Sequence, residues 1–215
     1  MHVASVVSVA LALQLVVVES GEAQGGGFVP GTRELFSVDF AAEPLGEFPR
    51  RLKLLQGNME MVMKDGVPML KASDRAAFLI NLPEVLPQDF TLEFDIVPKS
   101  CCQPEDLAFE GTPAISQSAH SMNFMWHHNA LRAVGGGESM DMPMPPDLAE
   151  TLPAQLTEVR VVFQGPTFQL YTNGRPVATW SNRKFARGRV LRVFLGGQDD
   201  KDRAVYLSKL RIAAR

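Results

Sequence analysis

Hydrophobic and polar residues alternate along residues 159–181, which read VRVVFQGPTFQLYTNGRPVATWS. In the first run, Val159, Val161 and Phe163 fall on one face of an extended chain, because successive side chains point to opposite faces of a strand. Asn173-Gly174 separates the next two runs, and both central residues of a tight hairpin turn must accept positive φ. The pattern therefore predicts a meander of half-buried antiparallel strands.

Similar short runs recur along the rest of the chain, separated by turn-forming pairs such as Gly57-Asn58, Asp65-Gly66 and Gly165-Pro166. Strands spaced by about 8–12 residues with turn signals between them are typical of sandwiches and barrels. No segment has the period of a long amphipathic helix. The predicted fold is all-β, a two-sheet antiparallel β-sandwich or jelly roll. The predicted strands are 35–40, 51–55, 59–63, 68–72, 77–82, 90–97, 122–128, 131–134, 157–164, 167–172, 176–180, 190–195 and 204–213.

The apolar side of these runs predicts the core, and two segments without clear alternation, 100–121 and 135–153, are predicted to be irregular surface loops. The predicted core includes Phe36, Leu92, Phe94, Ile96, Val159, Val161, Phe163, Leu170, Val193 and Leu207.

The amino-terminal residues predict export. Residues 3–18 form an apolar run that is shorter than the about 20 residues of a membrane span, and small residues at Gly21 and Ala23 suit a cleavage site. No Lys or Arg precedes the run, so a retained anchor and a cytoplasmic protein stay as alternatives. We expect a signal peptide at 1–23, a flexible linker at 24–33 and a β-sandwich domain at 34–215. The mature protein would be secreted or periplasmic, without stable membrane insertion.

Composition changes this picture little. The 215 residues carry a net charge of −3, with 46% hydrophobic and 21% charged residues, which is ordinary for a globular protein. A nucleic-acid-binding domain would show a basic face, so nucleic acid is not expected as a partner.

Glu93 and Asp95 lie two positions apart on the predicted strand 90–97, so both carboxylates share the face opposite Leu92 and Phe94. The pair resembles part of the Glu-x-Asp-x-Glu motif of family 16 glycoside hydrolases. Those enzymes need a nucleophile and a separate acid about 5–5.5 Å apart. Val97 stands where the second glutamate would be, so we predict that the chain is not an enzyme.

Three aromatic residues are candidates for stacking on a sugar ring. Trp126 shares a strand face with Met122 and favours the core, whereas Trp180 fits either environment. Tyr171 lies opposite the apolar face of its strand, beside Gln169, and is the best surface candidate. The predicted ligand-binding residues are therefore Glu93, Asp95, Gln169 and Tyr171.

Thioether and imidazole side chains, which suit soft copper, occur at 120–128 and 140–144. Neighbouring strand positions such as His127 and His128 point to opposite faces, so both cannot bind one ion without distortion. We predict no metal site and no cofactor, with the thioethers acting as packing groups. The copper candidates are His120, Met122, Met125, His127, His128, Met140, Met142 and Met144.

Two further groups carry ligand-type side chains. Cys101 and Cys102 are adjacent, so they can form only a strained vicinal disulfide or bridges to another molecule. Asp199, Asp200 and Asp202 form a carboxylate-rich turn that suits calcium, but its neighbouring basic residues favour a solvated turn.

The order of several motifs resembles a lectin-like domain found upstream of outer-membrane-protein-A-like peptidoglycan-binding domains in some bacteria. The resemblance spans 35–213 and implies a concanavalin-A-like jelly roll, shared with laminin-G modules, with no catalytic residues to transfer. Its motifs are FSVDF (36–40), GEFPRR (46–51), GNME (57–60), LPEVLP (82–87), FTLEFD (90–95), NGRPVA (173–178) and LRIA (210–213).

Together these features predict an exported, non-catalytic binding module for a glycan or a cell-envelope component. The alternatives are a structural or protein-interaction module without a sugar site and a relative of glycoside hydrolases.

Overall fold

The computed structural model describes residues 27–98, 107–111, 121–127, 130–135, 138–143, 155–181, 183–196 and 204–215. Within these residues the chain forms two antiparallel β-sheets that enclose one main hydrophobic core, as predicted for a sandwich. The helical structure of this part is a 3-10 turn at Phe40–Ala42. In the same residues, no helix has the length and apolar character needed to span a bilayer.

The strands of the described residues, in chain order, have the following bounds. They are β1 (Arg33–Asp39), β2 (Lys53–Gln56), β3 (Met59–Lys64), β4 (Val67–Ala72), β5 (Arg75–Asn81), β6 (Phe90–Val97), β7 (Leu107–Glu110), β8 (Ser121–His127), β9 (Ala130–Gly135), β10 (Glu138–Pro143), β11 (Thr157–Gln164), β12 (Thr167–Thr172), β13 (Arg175–Ser181), β14 (Val190–Gly196) and β15 (Val205–Ala214).

Sheet A has the order β13-β12-β11-β6-β15-β4-β3, and β1 pairs with β15 beside this path. Sheet B has the order β10-β9-β8-β7-β14-β5-β2. The last strand, β15, thus lies in the middle of sheet A, where it pairs with β6, β4 and β1.

Two strands lie in segments that the alternation predicts to be loops, and that prediction is wrong there. All four residues of Leu107–Glu110 are buried, which removes the polar-apolar alternation that marks a half-buried strand. Glu138–Pro143 is extended because it pairs along its whole length with Ala130–Gly135, a tertiary contact that local pattern does not report.

The Asn173-Gly174 hairpin has the predicted geometry. Both residues have positive φ, 47° and 76°, which matches the twist of the flanking strands. The Asn173 side chain also accepts a hydrogen bond from the Glu158 backbone N–H at 2.9 Å. This contact ties the hairpin between β12 and β13 to the start of β11.

All ten residues of the predicted core are buried. Aromatic rings dominate its centre: Phe90 stacks on Phe163 with centroids 3.8 Å apart, and Phe163 meets Phe168 edge to face. Burying each such ring stabilises the fold by about 1.5–3 kcal/mol. The core therefore holds β6, β11 and β12 in register, and this register decides what faces outward.

Candidate functional site

The four residues predicted to bind a ligand share one face of one sheet. Glu93 and Asp95 lie on β6, and Gln169 and Tyr171 lie on β12, with β11 between the two strands. Each alternates with buried core residues, so all four project from the outer face of sheet A. Cross-strand pairing places Arg160 of β11 opposite both Glu93 and Tyr171.

The carboxylates of Glu93 and Asp95 are held by arginines. Arg160 Nη1 donates to Asp95 Oδ1 at 2.7 Å and to the carbonyls of Phe94 and Val159 at 2.9 Å. Its Nε lies 3.9 Å from Glu93 Oε2. The Asp95 side chain is only 7% exposed, so this ion pair compensates a charge that is almost removed from water.

Arg211 of β15 holds Glu93 from the other side. Its Nη1 donates to Glu93 Oε1, and its Nη2 donates to the Gly31 carbonyl at 3.0 Å. We call Glu93, Asp95, Arg160 and Arg211 the charge ladder. Because the carboxylates of Glu93 and Asp95 accept hydrogen bonds from charged arginines, their main role is to stabilise the pairing of β6 with β11 and β15.

The segment 27–32 crosses the outer face of sheet A next to the charge ladder. The Gly31 N–H donates to Thr91 Oγ1 at 3.1 Å, 60 residues away in the chain. A Cβ at Gly31 would lie 2.6 Å from the Ala213 carbonyl oxygen, so glycine permits this close approach. Residues at the end of the predicted linker are therefore in contact with the sandwich.

Phe28 brings the same segment to β12. Its ring meets the ring of Tyr171 edge to face, with centroids 5.8 Å apart. Tyr171 faces outward as the alternation predicts, but it is only 8% exposed because Phe28 lies against it. The Tyr171 hydroxyl donates to Gln169 Oε1 at 3.4 Å, so these two residues act as a pair.

Tyr171 forms part of a surface groove of about 260 Å³, which we call the tyrosine groove. The buried Val162 contributes apolar surface to its lining, and Val29, 60% exposed, adds an apolar residue from segment 27–32. The groove is smaller than the about 300–1,000 Å³ of sites for drug-sized ligands, so its volume suits a small group. Its lining residues are Gly27, Val29, Val162, Gln164, Gln169, Tyr171 and Arg215.

The outer face of sheet B carries a different polar cluster. Arg192 Nη1 lies 2.7 Å from Glu110 Oε1, and Glu110 Oε2 is buried without a hydrogen-bond partner among the described residues. Burial raises the pKa of Glu110, and the hydrogen bond from Arg192 offsets part of that rise. On the neighbouring strand β8, the Ser121 hydroxyl donates to Asn123 Oδ1 at 2.8 Å.

Most of the side chains predicted as metal-site candidates lie outside the described part of the chain. In the described residues, no group of three or more His, Cys, Asp or Glu side chains could hold a metal ion. Strands β8 and β10 contain Met125, Trp126, His127, Met140 and Met142, but the description of these residues extends to the backbone alone. Outside the described residues lie Cys101, Cys102, His120, His128, Met144, Asp199, Asp200 and Asp202.

Several functional candidates on the outer face of sheet A were not predicted from the sequence. Arg160 could be found from strand parity, since it alternates with Val159 and Val161. Arg211 and Phe28 could not, because they reach the site through the pairing of β15 with β6 and through a segment without periodicity. Trp180, left open by the sequence, is buried against Phe168.

Comparison with known proteins identifies the fold and not a family. No family model matches the chain, and no curated protein sequence matches it. Among solved structures, the binding domain of botulinum neurotoxin serotype D is similar, with a TM-score of 0.59 and 11% identity over 85% of this chain. This chain spans 48% of that structure, less than half of its length.

Two further solved structures match over nearly their full length. One, from work on endo-acting O-glycanases of human gut bacteria that begin mucin breakdown, has a TM-score of 0.58, 12% identity and 85% and 99% coverage of the two chains. The other is a Bacillus subtilis protein with a galectin-like fold, with a TM-score of 0.50, 12% identity and 86% and 97% coverage. The chain therefore has a lectin-like β-sandwich fold, shared with proteins that differ in activity.

Proposed function

We propose that this chain is a non-catalytic glycan-binding module and that the tyrosine groove is its binding site. The observation that carries the proposal is the Tyr171–Gln169 pair. It combines an aromatic ring with an amide in a groove open to solvent on the outer face of sheet A. The arrangement offers both kinds of contact that a sugar ring needs.

A sugar ring has an apolar C–H face and a rim of hydroxyls. The exposed Val29 and the part of the Tyr171 ring that Phe28 leaves open to the groove supply apolar contact area, and the amides of Gln164 and Gln169 can each donate to and accept from hydroxyls. Rigid aromatic groups lose little conformational entropy on binding. Phe28 already orders Tyr171, which lowers that cost further.

The ion pairs of the charge ladder support the non-catalytic part of the proposal. A retaining glycosidase needs one carboxylate free to attack and another able to give up a proton. Glu93 accepts a hydrogen bond from Arg211, and Asp95 accepts one from Arg160. We therefore assign both carboxylates to the support of the sheet rather than to contact with the sugar.

The structural neighbours agree with a sugar-related role without defining the ligand. The neurotoxin neighbour is described as a binding domain, and another neighbour comes from work on O-glycanases. Export is part of our proposal, since the amino-terminal sequence predicts a signal peptide and a glycan partner would be met outside the cytoplasm.

A glycan array tests this function. The wild-type chain should bind at least one class of glycan, and Tyr171→Ala should abolish that binding. Tyr206→Ala is the matched control, because Tyr206 is the other tyrosine of the chain and does not line the groove. Gln169→Ala provides a second test if removal of the buried Tyr171 ring lowers stability. A chain that binds no glycan, or that binds equally well without Tyr171 and Gln169, would contradict the proposal.

A further inference from the structure

A second cavity lies beside the tyrosine groove. It has a volume of about 200 Å³ and is lined by Gln88, Gly165, Pro166, Arg183 and Arg187. We call it the arginine pocket. Gly165 and Pro166 are the turn residues between β11 and β12, and they directly follow Gln164, which lines the tyrosine groove. Consecutive Cα atoms are about 3.8 Å apart, so the two cavities adjoin across this turn.

Arg187 is fixed in the wall of the arginine pocket. Its Nη2 donates to the Gly165 carbonyl at 2.7 Å, and its guanidinium lies 5.9 Å from the centroid of the Phe185 ring. Its Nε is buried without a hydrogen-bond partner among the described residues. The guanidinium is therefore held in one orientation, with part of its hydration removed.

Among the described residues, none forms a direct ion pair that neutralises the charge of Arg187. Within the described residues, no carboxylate lies within 4.0 Å of the charged groups of Arg187 or Arg183. Burial lowers the pKa of Arg187, and the nearby charge of Asp89 opposes that effect. An arginine stays protonated in proteins, so this site holds a partly desolvated positive charge.

Asp89 connects the two cavities. Its Oδ1 accepts from the Gly165 N–H at 2.8 Å, and its backbone carbonyl accepts from the Arg215 N–H at 3.2 Å. Arg215 lines the tyrosine groove, whereas Arg183 and Arg187 line the arginine pocket. Arg183 and Arg187 thus bring two positive charges to the lining of the arginine pocket, beside the one carboxylate of Asp89, so the balance of these three charges is positive.

We propose that the glycan bound by this module is acidic, with its sugar ring in the tyrosine groove and a carboxylate or sulfate group in the arginine pocket. The inference rests on the proposed glycan-binding function and adds the class of ligand. Guanidinium groups match the planar oxygen pairs of carboxylates and the oxygens of sulfate through charge-assisted hydrogen bonds. The Gln88 amide offers a further donor at the rim of the pocket.

Matched glycan pairs test the inference. The probes are neutral oligosaccharides, the same chains bearing a terminal glucuronate or a sulfate ester, and inorganic sulfate alone. The acidic member of a pair should bind at least about tenfold more tightly at low salt, and added salt should reduce this preference. In the Arg183→Gln/Arg187→Gln variant, the affinity for the acidic glycan should fall to that for the neutral glycan. The preference for the acidic glycan should remain in Arg50→Gln, which removes an exposed arginine outside both cavities.

The outcomes separate the two proposals. Equal binding of neutral and acidic chains, with loss of both in Tyr171→Ala, would overturn the acidic ligand and leave the glycan-binding function intact. Binding of inorganic sulfate as tightly as the acidic glycan would show a site for free anions only and would also overturn the inference. Absence of binding to every chain would contradict the glycan-binding function itself. Arg183→Gln alone, at an exposed residue, keeps the test valid if Arg187→Gln fails to fold.

Discussion

The ring of Phe28 meets the ring of Tyr171 edge to face, with centroids 5.8 Å apart and ring planes at 65°. This contact joins segment 27–32 to β12 on the outer face of sheet A. It orients Tyr171, and the neighbours of Phe28 in the chain, Gly27 and Val29, line the tyrosine groove. The contact therefore links the stability of segment 27–32 to the shape of the proposed binding site.

A double-mutant cycle measures this link. Phe28→Ala and Tyr171→Ala should show a coupling energy of about 0.5–1.5 kcal/mol in urea unfolding, the range for edge-to-face aromatic pairs. The control cycle pairs Phe28→Ala with Tyr206→Ala and should be additive, since Tyr206 contacts Lys64 instead. Additive effects for Phe28 and Tyr171 as well would contradict the described contact.

The charge ladder predicts a large effect at Arg160. Arg160→Met leaves the nearly buried Asp95 without its closest partner and should lower the free energy of unfolding by about 3 kcal/mol. Asp95→Asn in the same chain should restore part of that loss. Arg33→Met is the matched control, because Arg33 and Glu84 are 2.6 Å apart but about half exposed, and it should cost under about 1 kcal/mol. Similar losses at both arginines would refute the distinction between the two pairs.

The hairpin turn predicts a backbone effect at Gly174. Gly174 has φ of +76°, and a Cβ there would meet no atom within 4 Å, so Gly174→Ala changes backbone strain alone. The substitution should destabilise the chain by about 1–2 kcal/mol, the cost of a left-handed conformation for a residue with a Cβ. Gly27→Ala, with equal space and no positive φ, should have a much smaller effect. Thermal unfolding of both variants checks the difference.

Strand parity could be predicted from the sequence because it is a local property. Alternation placed Glu93, Asp95, Gln169 and Tyr171 on the side opposite the core, and the structure brings all four to one sheet face. That they share a sheet depends on β11 pairing with both β6 and β12. The predicted meander includes the pairing of β11 with β12, whereas the pairing of β11 with β6 is a long-range contact.

The partners of these residues could not be predicted. Glu93 binds Arg211 across 118 residues of sequence, and Gly31 binds Thr91 across 60. Such contacts depend on which strands become neighbours, and alternation reports only which side of a strand is buried. The Gly-rich composition of segment 24–33 predicts flexibility, and it carries no signal for the ring of Phe28 lying on Tyr171.

Glu110 predicts a pH dependence of stability. Burial raises the pKa of Glu110 in the folded chain, so the folded state holds this proton more tightly than the unfolded state. The contribution to stability is present below the ordinary glutamate pKa and is lost as the pH rises through the folded value. The unfolding free energy of the wild type relative to Glu110→Gln should therefore increase as the pH falls from 7 toward 4.5. A flat or falling difference in urea titrations would contradict this environment for Glu110.

The location of a bound glycan tests the central claim most directly. The measurement is a titration of the isotope-labelled chain with the strongest glycan from the array, followed through backbone and side-chain amide chemical shifts. We predict saturable shifts at Val162, Gln164, Gln169 and Tyr171, and loss of these shifts in Tyr171→Ala but not in Tyr206→Ala. Shifts confined to the outer face of sheet B, around Asn123 and Arg192, or no shift at saturating glycan, would contradict the assignment of the tyrosine groove as the binding site.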